Sequence, residues 1–346
     1  ELCALVCLLV RKKVCKRIID TSAGDTSTDR VAVIAKRLIK SCIPVSAAAI
    51  VVNLSSFIDL ITIPRCLNFA LSSDPGYFTA CFSDIIKAQG GAVRLANFMY
   101  GSYTGLSWTM FMLIPSFTAM FGRSALPQIA GAWTLGNRNE FERKVTVVLR
   151  SNFVIGFPLY LGLSAMSRQI LEFLFSGRQQ EVTVSATSLF ILGLGGVFLT
   201  LSSTFISIFQ VIGRSDLPVK LMLPGCAVKL IFNVFTISVP AININGAAVS
   251  TVIMYAAVAL GGYFALENVT GIDFHIIRRM AVPLSAGIVC AVVSRIVYGF
   301  VGESVNAVAA LFLPIASGGA VYIILLIIFN EINLKSLLNR QKRKKF

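Results

Sequence analysis

The chain has 346 residues, 56% of them hydrophobic and 14% charged, with a mean hydropathy of +0.79. A soluble domain of this composition would expose large apolar patches, so the composition excludes an ordinary soluble fold and favours a membrane protein. The net charge is +15, but the basic residues flank apolar stretches, which indicates charges that fix membrane topology and contact anionic lipid rather than nucleic acid.

The first apolar stretch, residues 2–10, is too short to cross a bilayer and stops at Arg11. We interpret residues 1–10 as the end of a transmembrane helix that begins upstream, and we expect the sequence to be a fragment of a longer chain. Residues 11–40 are polar and basic and are predicted to form a cytoplasmic linker.

Eight further stretches are each long enough to cross a bilayer core of about 30 Å as a helix. They are residues 41–63, 98–121, 145–167, 185–209, 218–240, 246–266, 280–301 and 307–330. The first six predict a six-helix lobe over 41–266. The last two predict an additional transmembrane pair over 267–330, followed by the basic tail 331–346. The predicted fold class is an all-α polytopic membrane protein.

The basic residues predict the orientation of these helices. Of the 31 Lys and Arg residues, 23 lie in loops 11–40, 122–144, 210–220, 267–279 and the tail, whereas the intervening loops hold five. By the positive-inside rule the first set is cytoplasmic, and so is the C-terminus. The external segment 68–91 is long, and the sequence assigns it no function.

The sequence contains no catalytic motif. Carboxylates, metal ligands and nucleophiles do not occur at the spacing that catalysis requires, so we predict no enzyme activity, catalytic residue or metal site. The eight cysteines form no CxxC pair, which argues against a zinc site or a disulfide framework. We predict no cofactor, and a structural role for the single histidine, His275.

Ionisable residues inside spans are costly and are therefore candidate functional groups. Asp59 is interpreted as a structural ion-pair partner, as a proton or sodium site, as a substrate contact, or as a residue at the membrane interface. Lys229, with Asn233 one helical turn on, presents a cation and an amide on one face, which suits a phosphate or sugar. A pair between Lys229 and Asp59 is the alternative. Arg295 either faces a groove that holds a lipid phosphate or pairs with backbone carbonyls.

Several motifs resemble the polysaccharide-transporter branch of the multidrug/oligosaccharidyl-lipid/polysaccharide exporter superfamily, with the stage V sporulation protein B type as the nearest match. The most specific block, residues 210–251, contains Gly213, Pro218, Gly225, Lys229, Asn233, Pro240, Gly246 and Thr251. Further matches are Pro44, Asp59, Pro64 with Arg65, Tyr100 with Gly101, Thr104 with Gly105, and Pro127 with Gly136 and Phe141.

The resemblance implies that two six-helix lobes enclose a cavity, that 41–266 is the second lobe, and that the N-terminal lobe, which completes the cavity, is missing. It also implies that the protein flips an undecaprenyl-pyrophosphate-linked saccharide such as lipid II across the bacterial inner membrane by alternating access, with H⁺ or Na⁺ as a coupling cation. Lipid II flippases of the Gram-negative type carry an arginine in the helix matching 98–121, where this sequence has Trp108.

Two alternatives are a cation-coupled multidrug exporter of the same superfamily and a membrane scaffold for cell-wall or sporulation enzymes. Three intramembrane cations against one acid argue against cationic drug cargo. The predicted substrate-binding or transport residues are Lys229, Asn233, Asp59, Arg65, Asn53 and Arg295.

Overall fold

The computed structural model of the protein describes residues 31–89, 91–301 and 306–329, which are helical apart from short turns. The predicted helix end 1–10, most of the linker 11–40 and the tail 331–346 lie outside the described residues. The chain divides into two compact units, Glu1–Pro44 and Val45–Phe346. The first unit is described only over residues 31–44, which are helical.

Eleven helices follow one another along the described residues, with a π-helical stretch, Tyr103–Trp108, that we call the π segment. They are α1 (Val31–Ser73), α2 (Pro75–Gln89), α3 (Ala92–Ser102), α4 (Thr109–Thr134), α5 (Arg138–Ala165), α6 (Ser167–Leu174), α7 (Gln179–Val211), α8 (Asp216–Ile237), α9 (Asn245–Thr270), α10 (Ile276–Val301) and α11 (Ala307–Ile328).

Seven of the described helices contain a stretch long and apolar enough to cross a membrane. These stretches are Asn53–Ser73, Arg138–Ala165, Gln179–Val211, Asp216–Ile237, Asn245–Thr270, Arg278–Val301 and Ala307–Ile328. Large apolar side chains such as Phe235 and Phe300 are 72% and 82% exposed, as expected for helices that face lipid. The predicted all-α membrane fold is confirmed.

Three of the predicted segments differ most from the structure. The first predicted span ends at residue 63, but α1 continues to Ser73, because Leu67 and Ala70 are buried on the same face as Ile63. The predicted external segment 68–91 is largely helical and forms the end of α1 and all of α2. The predicted span 98–121 is divided into α3, the π segment and the first half of α4.

Helix α7 is central to the packing. It contacts α4, α5 and α9, while α10 packs on α5 and α11. Polar side chains join these apolar helices: the Tyr160 hydroxyl lies 2.8 Å from Thr200 Oγ1, and Asn152 Nδ2 donates to Thr204 Oγ1 at 2.6 Å. Hydrogen bonds of this kind hold membrane helices together where the hydrophobic effect does not.

The π segment and the last residue of α3, which precedes it, are fixed to α7 by two hydrogen bonds. Ser107 Oγ donates to the Ser185 carbonyl at 2.8 Å, and Ser185 Oγ donates to the Ser102 carbonyl at 2.9 Å. A π-helical turn has i to i+5 geometry and frequently occurs at functional sites. In this protein it sets the direction in which Trp108, its last residue, leaves the helix.

The close approach of α7 to α5 depends on glycine. A Cβ at Gly193 would lie 2.8 Å from Ser164 Cβ and 3.0 Å from the Ser164 backbone nitrogen, and the backbone cannot move aside as a flexible side chain would. We expect Gly193→Ala to lower the free energy of unfolding by about 1–3 kcal/mol, as overpacking does. The thermal midpoint of the detergent-solubilised protein, followed by size-exclusion chromatography, measures this.

Gly319→Ala is the matched control, since a Cβ there meets nothing within 4 Å. Both substitutions raise helix propensity, so the difference between them reports the contact alone. Equal midpoints for the two variants would contradict the close packing of α5 and α7.

Candidate functional site

Lys229 of α8 is the centre of a buried polar cluster. Its side chain is fully buried, and it shares one helix face with Cys226 and Asn233, which are also buried. Lys229 Nζ lies 2.6 Å from Asp59 Oδ2 of α1 and donates to Ser55 Oγ at 3.0 Å. The cation and the carboxylate therefore form an ion pair inside a membrane helix bundle.

Asn233 completes the cluster. Its Nδ2 donates to Asp59 Oδ1 at 3.1 Å and to Thr62 Oγ1 at 3.0 Å. Its Oδ1 accepts a hydrogen bond from Ser250 Oγ of α9. Both Asp59 oxygens have partners, and one polar network joins α1, α8 and α9.

Helix geometry explains why α1 contributes three of these residues. Ser55, Asp59 and Thr62 are separated by four and three residues, which places them on one helix face. This spacing is visible in the sequence, but of the three residues only Asp59 was predicted as a site residue. Ser55, Thr62 and Ser250 were missed because small hydroxyl residues are common in transmembrane helices.

An aromatic ring lies next to the cation. Lys229 Nζ is 5.9 Å from the centre of the Trp108 ring, which the π segment positions. At this distance the ring quadrupole attracts a cation. The segment in which this sequence has Trp108 in place of an arginine thus supplies an aromatic surface to a lysine from another helix.

The other three predicted site residues lie elsewhere. Arg65 and Asn53 are on α1 like Asp59, but their side chains are exposed. Arg295 is exposed on α10 and lines a groove of about 500 Å³ with residues of α5, α6 and α7. The structure therefore brings together Asp59, Lys229 and Asn233, and places Arg65, Asn53 and Arg295 outside the cluster.

Burial of the ion pair between Lys229 and Asp59 has a high desolvation cost. Transferring two charges into an apolar interior costs several kcal/mol per ion, which their attraction offsets only when the remaining hydrogen-bonding groups are satisfied. Ser55 and Asn233 supply such hydrogen bonds. Of the alternatives that the sequence left open, the geometry matches the pair between Asp59 and Lys229.

Metal-ligand groupings are absent from the described ranges, in which no three His, Cys, Asp or Glu residues come together. His275 Nδ1 instead lies 2.6 Å from Asp273 Oδ2 in the turn between α9 and α10. The backbone N–H of His275 donates to Asp273, which lowers the pKa of that carboxyl. This contact closes a turn.

Comparisons with known proteins match most of the chain. The family model for the lipid II flippase MurJ matches residues 92–317. The chain is 22% identical over 243 residues to the lipid II flippase MurJ of Bacillus subtilis, covering 68% of this chain and 44% of that protein. It is 27% identical over 153 residues to the uncharacterized membrane protein MJ1068 of Methanocaldococcus jannaschii, covering 44% and 29%.

A solved structure of a lipid II flippase MurJ in an inward closed conformation has the same fold. Its TM-score is 0.53 at 18% sequence identity, and the match covers 68% of this chain and 50% of that chain. The present chain spans less than half the length of the curated relatives it matches.

An all-helical fold with seven helices of membrane-spanning length in the described residues, and a buried charged cluster between helices, defines a multi-pass membrane protein. Because the family match spans well over half of the sequence, the chain belongs to the lipid II flippase MurJ family. The resemblance that the sequence predicted is confirmed, and a family of flippases fits the prediction that the chain is not an enzyme. The match does not favour the drug-exporter or scaffold alternatives.

Proposed function

We propose that this chain forms the second lobe and extra helix pair of a flippase that moves an undecaprenyl-pyrophosphate-linked saccharide, such as lipid II, across the bacterial inner membrane. The observation that carries the proposal is the buried ion pair of Lys229 and Asp59, in a chain of this family. A missing first lobe would supply the other wall of the cavity, and the C-terminus would be cytoplasmic.

In this proposal Lys229 exchanges partners during transport. A pyrophosphate is a stronger anionic partner than one carboxylate, because it offers several charged oxygens to one ammonium group. When the headgroup enters, Lys229 leaves Asp59, and the link between α1 and α8 loses its ion pair and keeps the hydrogen bonds of Asn233. The substrate thereby shifts a two-state equilibrium that the ion pair otherwise holds on one side. Arg65, exposed on α1, would attract the headgroup to this wall of the cavity.

The coupling cation is also a proposal. Asp59 is already paired with the Lys229 ammonium group, which neutralises the carboxylate and repels a sodium ion from this place. A proton needs only one oxygen, and protonation of Asp59 removes the charge that holds Lys229. We propose H⁺ rather than Na⁺ as the cation that drives the exchange.

Lipid II translocation in proteoliposomes tests both proposals. We expect the complete product of the reading frame to flip lipid II, and an imposed proton gradient to accelerate flipping at least several-fold, whereas an equal sodium gradient does not. Vesicles that contain only the present chain are the control, and they test whether flipping requires the proposed first lobe. Absence of flipping by a folded complete product would contradict the substrate, and acceleration by sodium would contradict the coupling proposal.

A further inference from the structure

A second cationic site lies away from the buried cluster. A groove of about 500 Å³ opens where the end of α5 and the start of α6 meet the first turns of α7 and the second half of α10. Two arginines line it, Arg168 of α6 and Arg295 of α10, together with hydroxyl and amide side chains that include Ser164, Gln169, Thr183 and Thr187. The ion pair of Lys229 and Asp59 does not contribute to this lining.

The position of Arg295 within a membrane-spanning helix is energetically unfavourable unless an anion pairs with its guanidinium. It lies within the membrane-spanning stretch Arg278–Val301, and its helix neighbours Val292 and Ile296 are about half exposed, as side chains facing lipid are. Within the described part of the chain, Arg295 has no ion-pair or hydrogen-bond partner. An unpaired arginine in hydrocarbon is costly, and such residues normally snorkel to the interface.

The geometry of α10 puts that interface within reach. Arg295 lies six residues before Val301, where α10 ends, which corresponds to about 9 Å of helix rise. A long arginine side chain can span much of this distance and bring its guanidinium towards the lipid phosphates. Arg168, the second residue of α6, lines the same groove.

The polar atoms of the groove favour a phosphodiester with a hydroxyl-bearing headgroup. Arg168 Nε donates to Glu172 Oε1 at 2.8 Å in an ion pair, which orients that guanidinium and leaves its terminal nitrogens as donors. Because Glu172 offsets the charge of Arg168, Arg295 supplies the uncompensated positive charge of the groove. Gln169 Oε1 is buried and receives no hydrogen bond from the described residues. It therefore requires a donor, and a glycerol hydroxyl supplies one where a quaternary ammonium group does not.

The apolar wall of the groove completes the match to a lipid. Phe190, Ala291 and Val292 line the same groove as the arginines. A water-soluble phosphate would leave this wall uncovered, whereas an acyl chain covers it. We propose that the groove binds an anionic glycerophospholipid, with the phosphate between Arg168 and Arg295 and a headgroup hydroxyl on Gln169.

Native mass spectrometry of the full chain tests the site. Phosphatidylglycerol is titrated into the detergent-solubilised protein and compared with phosphatidylcholine. We expect tighter binding of phosphatidylglycerol, and about a tenfold loss of that preference in Arg295→Gln. Arg278→Gln is the matched control, because it removes one exposed cation from the same helix outside the groove.

Gln169→Leu supplies a second measurement that does not alter charge. It is expected to reduce the preference for phosphatidylglycerol while leaving the total binding of anionic lipid nearly unchanged. The proposal fails if Arg295→Gln and Arg278→Gln bind phosphatidylglycerol equally. It also fails if glycerol phosphate competes with the lipid, or if an isoprenyl pyrophosphate displaces it at lower concentration, since the groove would then take a free phosphate or the transport substrate.

Discussion

Lys229→Ala is expected to lower the free energy of unfolding by about 3–5 kcal/mol, because it leaves the buried Asp59 carboxylate without its cation. Asp59→Ala is expected to lower the free energy of unfolding by a similar amount, because it leaves the buried Lys229 ammonium group without its carboxylate. Chemical denaturation in detergent, or the thermal midpoint, measures both. Lys220→Ala is the matched control on the same helix: Lys220 pairs with Asp216 at the surface, where such a pair is worth about 0.2–1 kcal/mol.

A double substitution separates stability from transport. Replacing the pair with apolar residues of similar size, Asp59→Leu with Lys229→Met, is expected to recover most of the lost stability, since no charge remains buried. We expect lipid II flipping in the proteoliposome assay to stay at least tenfold below wild type, because the buried cation that would receive the pyrophosphate, Lys229, is gone.

Quantitative blots normalise flipping to the amount of protein in each vesicle preparation. If Lys229→Ala reduces flipping and protein level equally, the pair is structural. Wild-type flipping by the double variant would lead to the same conclusion and would contradict the proposed exchange of partners. The Lys229 variants thus test the function and the fold separately.

Asn233→Leu is expected to be the next most damaging change in the cluster. It removes a hydrogen-bond partner of Asp59 Oδ1, Thr62 and Ser250, of which Thr62 and Ser250 keep hydrogen bonds to backbone carbonyls. Leaving a buried polar group unsatisfied costs about 1–3 kcal/mol, and more for a charged group such as Asp59, so we expect a loss of about 2–3 kcal/mol. The thermal midpoint of the solubilised protein measures the loss.

Asn97→Leu is the appropriate comparison, because Asn97 is exposed on α3. The same side-chain change there removes no buried hydrogen bond and is expected to alter stability by less than about 0.5 kcal/mol. A similar midpoint for Asn233→Leu and Asn97→Leu would show that the network through Asn233 does not hold α1, α8 and α9 together.

The positions of the helices also suggest a role for Trp108, which lies beside the lysine of α8. The π segment directs the ring towards Lys229, and two serine hydrogen bonds to α7 fix that segment in place. A cation next to an aromatic face retains an attractive partner when its carboxylate is protonated or displaced. In the proposed transport cycle, Trp108 would hold Lys229 between Asp59 and the incoming headgroup.

The sequence by itself determined the fold class. Long apolar stretches can satisfy their backbone hydrogen bonds in a membrane only as helices, so composition and length were sufficient to predict the spans over 145–167, 185–209, 218–240, 246–266, 280–301 and 307–330. It also identified Lys229, Asn233 and Asp59 as candidates, because a charge or amide inside such a stretch is rare and expensive.

Helix ends and partners were decided by tertiary structure. The sequence ended the first span at residue 63, but α1 continues because Leu67 and Ala70 are buried, and burial depends on neighbouring helices. Pairing between Asp59 and Lys229 joins residues 170 positions apart, and the register of α1 against α8 that creates it is not a local property. The groove at Arg295 and the contact between Trp108 and Lys229 also depend on how the helices pack, and the sequence alone does not show them.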